Sequence, residues 1–196
     1  MVKKSSIILI ALLLVFLTAG CVSDTHGRYA TYVNHSDYVE LEYPANWTVD
    51  EYYLNKTMFY PPINSTTNDY DFHVCLNYHS TTNDSAYGMT PFTSEDMRRM
   101  VIEHYLSPYE TNVKVLNVEN TSLNGLPAFE FLYTNAPKKC ILVTGFAGNY
   151  RYYDPLMGGT YYVLKEYSIE YVANEYVFDV HIDEFKHMIS TFKIIT

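Results

Sequence analysis

Basic side chains are scarce in this chain of 196 residues: 13 Lys and Arg stand against 22 Asp and Glu, a formal charge of −9. An acidic surface disfavours nucleic acid and anionic lipid headgroups as partners, because both are polyanions. Cysteine is nearly absent, with three in all, too few for a disulfide-dense scaffold. No Gly-x-Ser-x-Gly elbow, Cys-x-x-Cys pair, His-Glu-x-x-His pair or phosphate-cradling glycine loop occurs. The spacings on which nucleophilic, redox, zinc-hydrolytic and nucleotide chemistry rest are therefore missing. The expectation is a protein that is not an enzyme and needs no cofactor. The first apolar run, Ile7 to Val22, falls short of the ~20 residues a membrane-spanning helix needs.

What that run does supply is an address. Lys3 and Lys4 form a cationic start, Ile7 to Leu17 an uninterrupted apolar stretch, and Thr18-Ala19-Gly20 a box of small residues before Cys21. Small side chains fit a signal-peptidase groove. The arrangement resembles lipoprotein precursors, in which the cysteine after the box is lipidated and becomes the mature N-terminus. It departs from the usual box in placing Thr18, not Leu, three residues before the cysteine. The expected organisation is a lipoprotein signal peptide at 1–20, a polar tether at 21–36 and one domain at 37–196. The domain would face away from the cytoplasm, anchored to the membrane by lipid on Cys21. About 175 residues are enough for a single sizeable core. Loss of Lys3 and Lys4 moves the formal charge from −9 to −11.

In that compartment two other features gain meaning. Cys75 and Cys140 are the only other cysteines, and outside the cytoplasm a pair of thiols is a candidate disulfide. Two buried thiols are the alternative. Six Asn-x-Ser/Thr sequons begin at Asn34, Asn46, Asn55, Asn64, Asn83 and Asn120, each a candidate glycan acceptor. The 21 tyrosines cover apolar surface while keeping a polar handle.

Periodicity predicts mostly strands. Val39 to Tyr43 alternates apolar and acidic residues, and after the Pro44-Ala45-Asn46 turn a strand runs over Trp47 to Tyr53. Met58 to Tyr60 and Phe72 to Tyr78 follow. Thr93 and Asp96 form a capping box, with Phe92 and Met97 placed as a hydrophobic staple. From there Met97, Met100, Val101, His104 and Tyr105 form one helical stripe, which Pro108 ends. Val113 to Ser122 meets Asn124-Gly125, a strong hairpin signal, with Phe129, Phe131 and Tyr133 alternating on the return. Ile141 to Phe146 and Tyr161 to Val172 are further strands. Phe178, Ile182, Phe185, Ile189 and Phe192 make the seam of a closing helix. Antiparallel strands with one helix inserted and one at the end predict an α+β fold.

The run Val39-Glu-Leu-Glu-Tyr-Pro-Ala-Asn-Trp47 resembles the opening of PsbP-like domains. Met58 to Pro62 resembles the element that follows it in that family. Leu123-Asn-Gly-Leu-Pro-Ala-Phe129 resembles its Asn-Gly hairpin, and Tyr167 to Tyr171 with Met188 to Ile194 its last strand and closing helix. The resemblance runs over residues 37 to 195 in order and is strongest to prokaryotic, often archaeal, PsbP-related lipoproteins. It implies an antiparallel sheet sandwiched between helices, an α/β/α arrangement, with Asn149 to Gly159 as an insertion. It also implies an accessory role: relatives serve membrane complexes or bind a protein partner.

Three side-chain groups are candidates for an ion. His73, Cys75, Asn77 and His79 share one strand face, but His73 and His79 lie ~20 Å apart along an extended strand. Asp69, Asp71 and Asp84 are hard oxygen donors without EF-hand spacing. His181 with Glu184 or His187 reads as a solvated helix face. The combined expectation is a membrane-anchored, extracytoplasmic, non-catalytic module that presents a surface to an envelope protein. Its alternatives are a glycosylated adhesive surface protein and an ion- or small-ligand-binding lipoprotein.

Overall fold

The computed structural model describes residues 27–52, 56–62, 72–83, 92–105, 112–154 and 159–195. The leader and Cys21 lie outside them. In chain order the elements are β1 (Tyr29–Asn34), β2 (Val39–Pro44), β3 (Thr48–Tyr52), β4 (Lys56–Tyr60) and β5 (Phe72–Asn83), then α1 (Ser94–Tyr105). There follow β6 (Val113–Leu123), β7 (Leu126–Asn135), β8 (Lys138–Asp154), β9 (Gly159–Asn174), a 3₁₀ turn (Glu175–Val177), α2 (Ile182–Thr191) and β10 (Lys193–Ile194).

Seven strands form one antiparallel sheet in the order β3-β4-β5-β9-β8-β7-β6, and β1-β2-β10 form a second. The long sheet separates two apolar cores. On one face Phe59, Val74, Leu76, Val143, Tyr167, Ile169 and Tyr171 pack with Leu41 of the small sheet and with Phe185, Met188 and Phe192 at α2. On the other face Phe131, Leu142, Phe146 and Leu164 pack with Val101 of α1. This is the expected α+β arrangement, a sheet with helical layers on both sides.

The local signals act as their chemistry requires. Thr93 Oγ1 donates to Asp96 Oδ2 at 2.7 Å, and the Asp96 amide donates back to Thr93 Oγ1 at 3.2 Å. The capping box thus satisfies donors that the first helical turn leaves open. These hydrogen bonds also hold the Asp96 carboxyl below its usual range. Asn124 and Gly125 both have positive φ, 52° and 75°, as a two-residue turn matching the strand twist demands. Gly148, at φ 99°, sits where the β8–β9 register shifts by one residue, a backbone conformation that Gly adopts without a Cβ clash.

Three elements depart from the sequence reading. The stretch read as tether contributes β1, paired with β2 along its whole length. Tyr32 explains why: its ring is buried, and its hydroxyl donates to Glu51 Oε1 at 3.0 Å and bonds Thr57 Oγ1 at 2.9 Å. That network joins the small sheet to β3 and β4, and burial raises the Tyr32 pKa. The closing helix begins at Ile182 rather than Phe178. Its end becomes β10, which pairs with Glu40 and Val39 of β2. Of the segment read as an insertion, residues 149–154 belong to β8 and Gly159 opens β9, with Tyr150 to Asp154 paired to Val163 to Gly159.

Phe185 is 1% exposed, so Phe185→Ala should cost about 3–5 kcal/mol through lost burial and the cavity left behind. Thr93→Ala should cost about 1 kcal/mol through the cap alone. Urea denaturation of both variants checks the ranking, and equal costs would contradict this account of the core.

Candidate functional site

Strands β5 and β9 bring together most of the chemistry-bearing residues. Their register sets His73 opposite Val172, Cys75 opposite Glu170, Asn77 opposite Ser168 and His79 opposite Glu166. Paired residues share a face, so one row of His, Cys, Asn and His lies beside a row containing Glu170, Ser168 and Glu166. β8 extends the patch with Cys140 opposite Val172 and Thr144 opposite Ser168. On β7, Tyr133 is opposite Cys140, and its hydroxyl donates to Glu170 Oε1.

Much of this face is buried. Glu166 is 1% exposed, and Ser168 and Thr144 are fully buried. Glu166, Ser168, Glu170 and Tyr133 were therefore missed. The available signal was the even-numbered set on β9, whose polar members (Glu166, Ser168, Glu170) interrupt Leu164 and Val172. Alternation alone assigns such residues to solvent, and only a second packing layer reverses that.

Burial keeps Cys75, Tyr133 and His73 neutral at physiological pH. It pushes the Cys75 thiol up to about 12, with the neighbouring Glu170 charge adding to the effect and Lys56 opposing it. Burial, Glu170 and Cys140 together raise the Tyr133 phenol well above its ordinary value. Burial lowers the His73 imidazole to about 4, helped by Lys138 and Lys56. A thiol this basic is not a thiolate at pH 7 and is a poor nucleophile. Within this row Tyr133 donates to Glu170, and neutral Cys75 and His73 do not make an activated acid–base pair.

Of the two readings of the cysteine pair, the structure shows two buried thiols. Cys75 and Cys140 are both buried, and no disulfide joins them. They lie on the same face, but β9 runs between β5 and β8. Two strand spacings plus a two-residue offset separate them by roughly 12 Å, well beyond the ~7 Å limit between bridged Cα atoms. Among the described residues no group of three His, Cys, Asp or Glu side chains is placed to hold a metal ion. Asp69, Asp71 and Asp84 lie outside those residues.

The α2 histidines are not a solvated face. His181 packs edge-on against Trp47 and tilted against Phe72, with centroids 5.6 and 4.7 Å away. Burial lowers its pKa, partly opposed by Glu184. His187 Nε2 lies 2.9 Å from Glu42 Oε2, and its ring stacks on Tyr29 at 3.7 Å. The two histidines fasten α2 to different parts of the small-sheet side.

The sequons separate by geometry. Asn34 Nδ2 donates to Asp37 Oδ2 at 2.8 Å and to the Tyr32 hydroxyl at 3.3 Å, and Asn34 Oδ1 accepts the Ser36 and Asp37 amides. Its carboxamide is fully used in a turn. Asn46 is exposed in the turn closed by the Trp47 amide on the Pro44 carbonyl, and Asn120 is exposed on β6. Asn83 is the last residue of β5, while Asn55 and Asn64 lie outside the described residues.

Thiol reagents at pH 7.5 should leave Cys75 and Cys140 unmodified in the native chain and modify both in denaturant. Fast native labelling would contradict the burial. A second outcome concerns pH. The folded pKa of His73 lies below its unfolded value near 6.5, so the unfolded chain binds more protons between about 6.5 and 4. Stability contributed by neutral His73 is present above pH 6.5 and is lost as pH falls toward 4. The denaturation midpoint of His73→Asn should therefore fall less between pH 7 and 4.5 than that of the parent chain; parallel curves would refute it.

No protein-family model matches the chain, and no curated protein matches it in sequence. Solved structures do match in shape. PsbP of the cyanobacterium Synechocystis sp. PCC 6803 superposes with a TM-score of 0.56 at 13% identity, covering 91% of this chain and 99% of that one. LpqN, described as involved in cell envelope biogenesis of Mycobacterium tuberculosis, superposes with a TM-score of 0.52 at 9% identity, covering 86% and 91%. At these identities the likeness is one of fold. The chain has the PsbP-like fold, a sheet between helical layers.

Proposed function

We propose that this protein is a lipid-anchored, extracytoplasmic accessory module, held to the membrane through Cys21 and presenting a rigid surface to an envelope protein. The observation that carries the reading is the PsbP-like fold, shared with a mycobacterial protein whose described role is in cell envelope biogenesis. A fold does not fix a function. The leader supplies the compartment, with its cationic start, apolar run and small-residue box before Cys21. The neutral state of Cys75, Tyr133 and His73 fits a scaffold better than a catalyst, because a nucleophile or general base needs a pKa near the working pH. No helix among the described residues is long and apolar enough to cross a membrane.

Expression of the full chain with its leader tests the anchor. The protein should fractionate with membranes and carry a diacylglyceryl mass at Cys21, and Cys21→Ser should abolish that mass. An unmodified Cys21 in the exported protein would end the lipid-anchor proposal. Cross-linking on intact cells followed by mass spectrometry addresses the partner: one stoichiometric envelope protein is the expected product, and its absence would favour an adhesive or ligand-binding role.

A further inference from the structure

The long sheet ends on β6, and no described strand lies along its outer edge. From Lys114 to Asn117 and from Glu119 to Ser122 every residue is exposed, while Val113 and Val118 are half-buried against the α1-side core. Val115 is 39% and Leu116 47% exposed. An eleven-residue edge beside which no described strand is paired is a template for another strand. The opposite edge, β3, is only five residues long and carries Asp50 next to Glu51, a like-charge pair that discourages self-contact.

The side-chain order on β6 says what fits. The register passes from Val115 opposite Tyr133 to Asn117 opposite Leu132, so Leu116 is the extra residue of a β-bulge. Val113, Val115 and Val118 therefore share one face, and Lys114, Asn117 and Glu119 the other. Asn117 Nδ2 donates to Glu119 Oε1 at 2.7 Å on that second face. A second copy of β6 laid antiparallel about a two-fold axis through Asn117 meets itself consistently. Asn117 faces Asn117, Val118 faces Val115 of the second copy, and Glu119 faces Lys114 of the second copy. The two-fold axis repeats each contact, giving two opposite-charge pairs and two valine pairs. Directly opposed pairs of these kinds are stabilising in antiparallel ladders. The stretch from Val113 to Asn120 contains one Lys and one Glu, so it is neutral in a chain whose formal charge is −9.

We infer that β6 is a homodimerisation edge, through which two copies of this chain join their long sheets into one continuous antiparallel sheet centred on Asn117. The closed two-fold contact uses up the edge, so it makes a dimer and not a fibre.

Cysteine cross-linking in the full chain, in the membranes of the expressing cell, tests both the dimer and its register. Asn117→Cys should form a disulfide dimer on mild oxidation, because its Cβ atoms would face each other at ~5 Å. Thr121→Cys, eight strand positions from its own copy, should not, and the parent chain sets the background. In the Asn117→Cys background, Glu119→Lys should lower the dimer yield about tenfold, and adding Lys114→Glu should restore it. These substitutions touch only exposed side chains, and circular dichroism checks that the fold is kept. Equal cross-linking at 117 and 121, no dimer at 117, or a yield indifferent to the charge changes would each overturn the inference.

Discussion

Strand β9 is hydrogen-bonded along both of its edges, to β5 from Tyr162 to Ala173 and to β8 from Gly159 to Asn174. That central position dictates what its side chains meet, since residues alternate between the two faces and both faces carry another layer. Tyr167, Ile169 and Tyr171 point to the side covered by α2 and the small sheet. The Tyr171 hydroxyl also donates to the Phe178 carbonyl, tying the strand to the segment that leads into α2. Leu164 and Val172 belong to the α1 side, together with the polar residues between them.

The polar row on that second side follows from the same constraint. Glu166 and Ser168 are buried because a second layer covers this face, and hydrogen bonds offset part of the cost of desolvation. The Tyr133–Glu170 bond is one of these. The same low-polarity surroundings hold Cys75 and His73 in their uncharged forms. A row of His, Cys, Asn and His that looks reactive on paper is thereby converted into structure.

The fold class was legible in the sequence because its signals are local. Alternation marked the strands, Thr93 and Asp96 marked the start of a helix, and Asn124-Gly125 marked a hairpin, each through interactions within a few residues. The PsbP-like resemblance rested on such segments and agrees with the shape of the structure. The candidate site was legible only in part. His73, Cys75 and Asn77 do share a face, but their neighbours across the ladder were invisible. β1 was missed because Tyr29 to Asn34 carries a single buried ring, Tyr32, among polar residues. Its stabilising bonds reach 19 and 25 residues away.

What the sequence by itself determined is the local elements, since a capping box and a two-residue turn act over short stretches of chain. Only the tertiary structure decided which polar residues are buried, that β9 keeps Cys75 and Cys140 apart, and that β6 is the last of the described strands in the long sheet. Those outcomes depend on strand order, and strand order is set by packing between residues distant in the chain, where no short pattern records it.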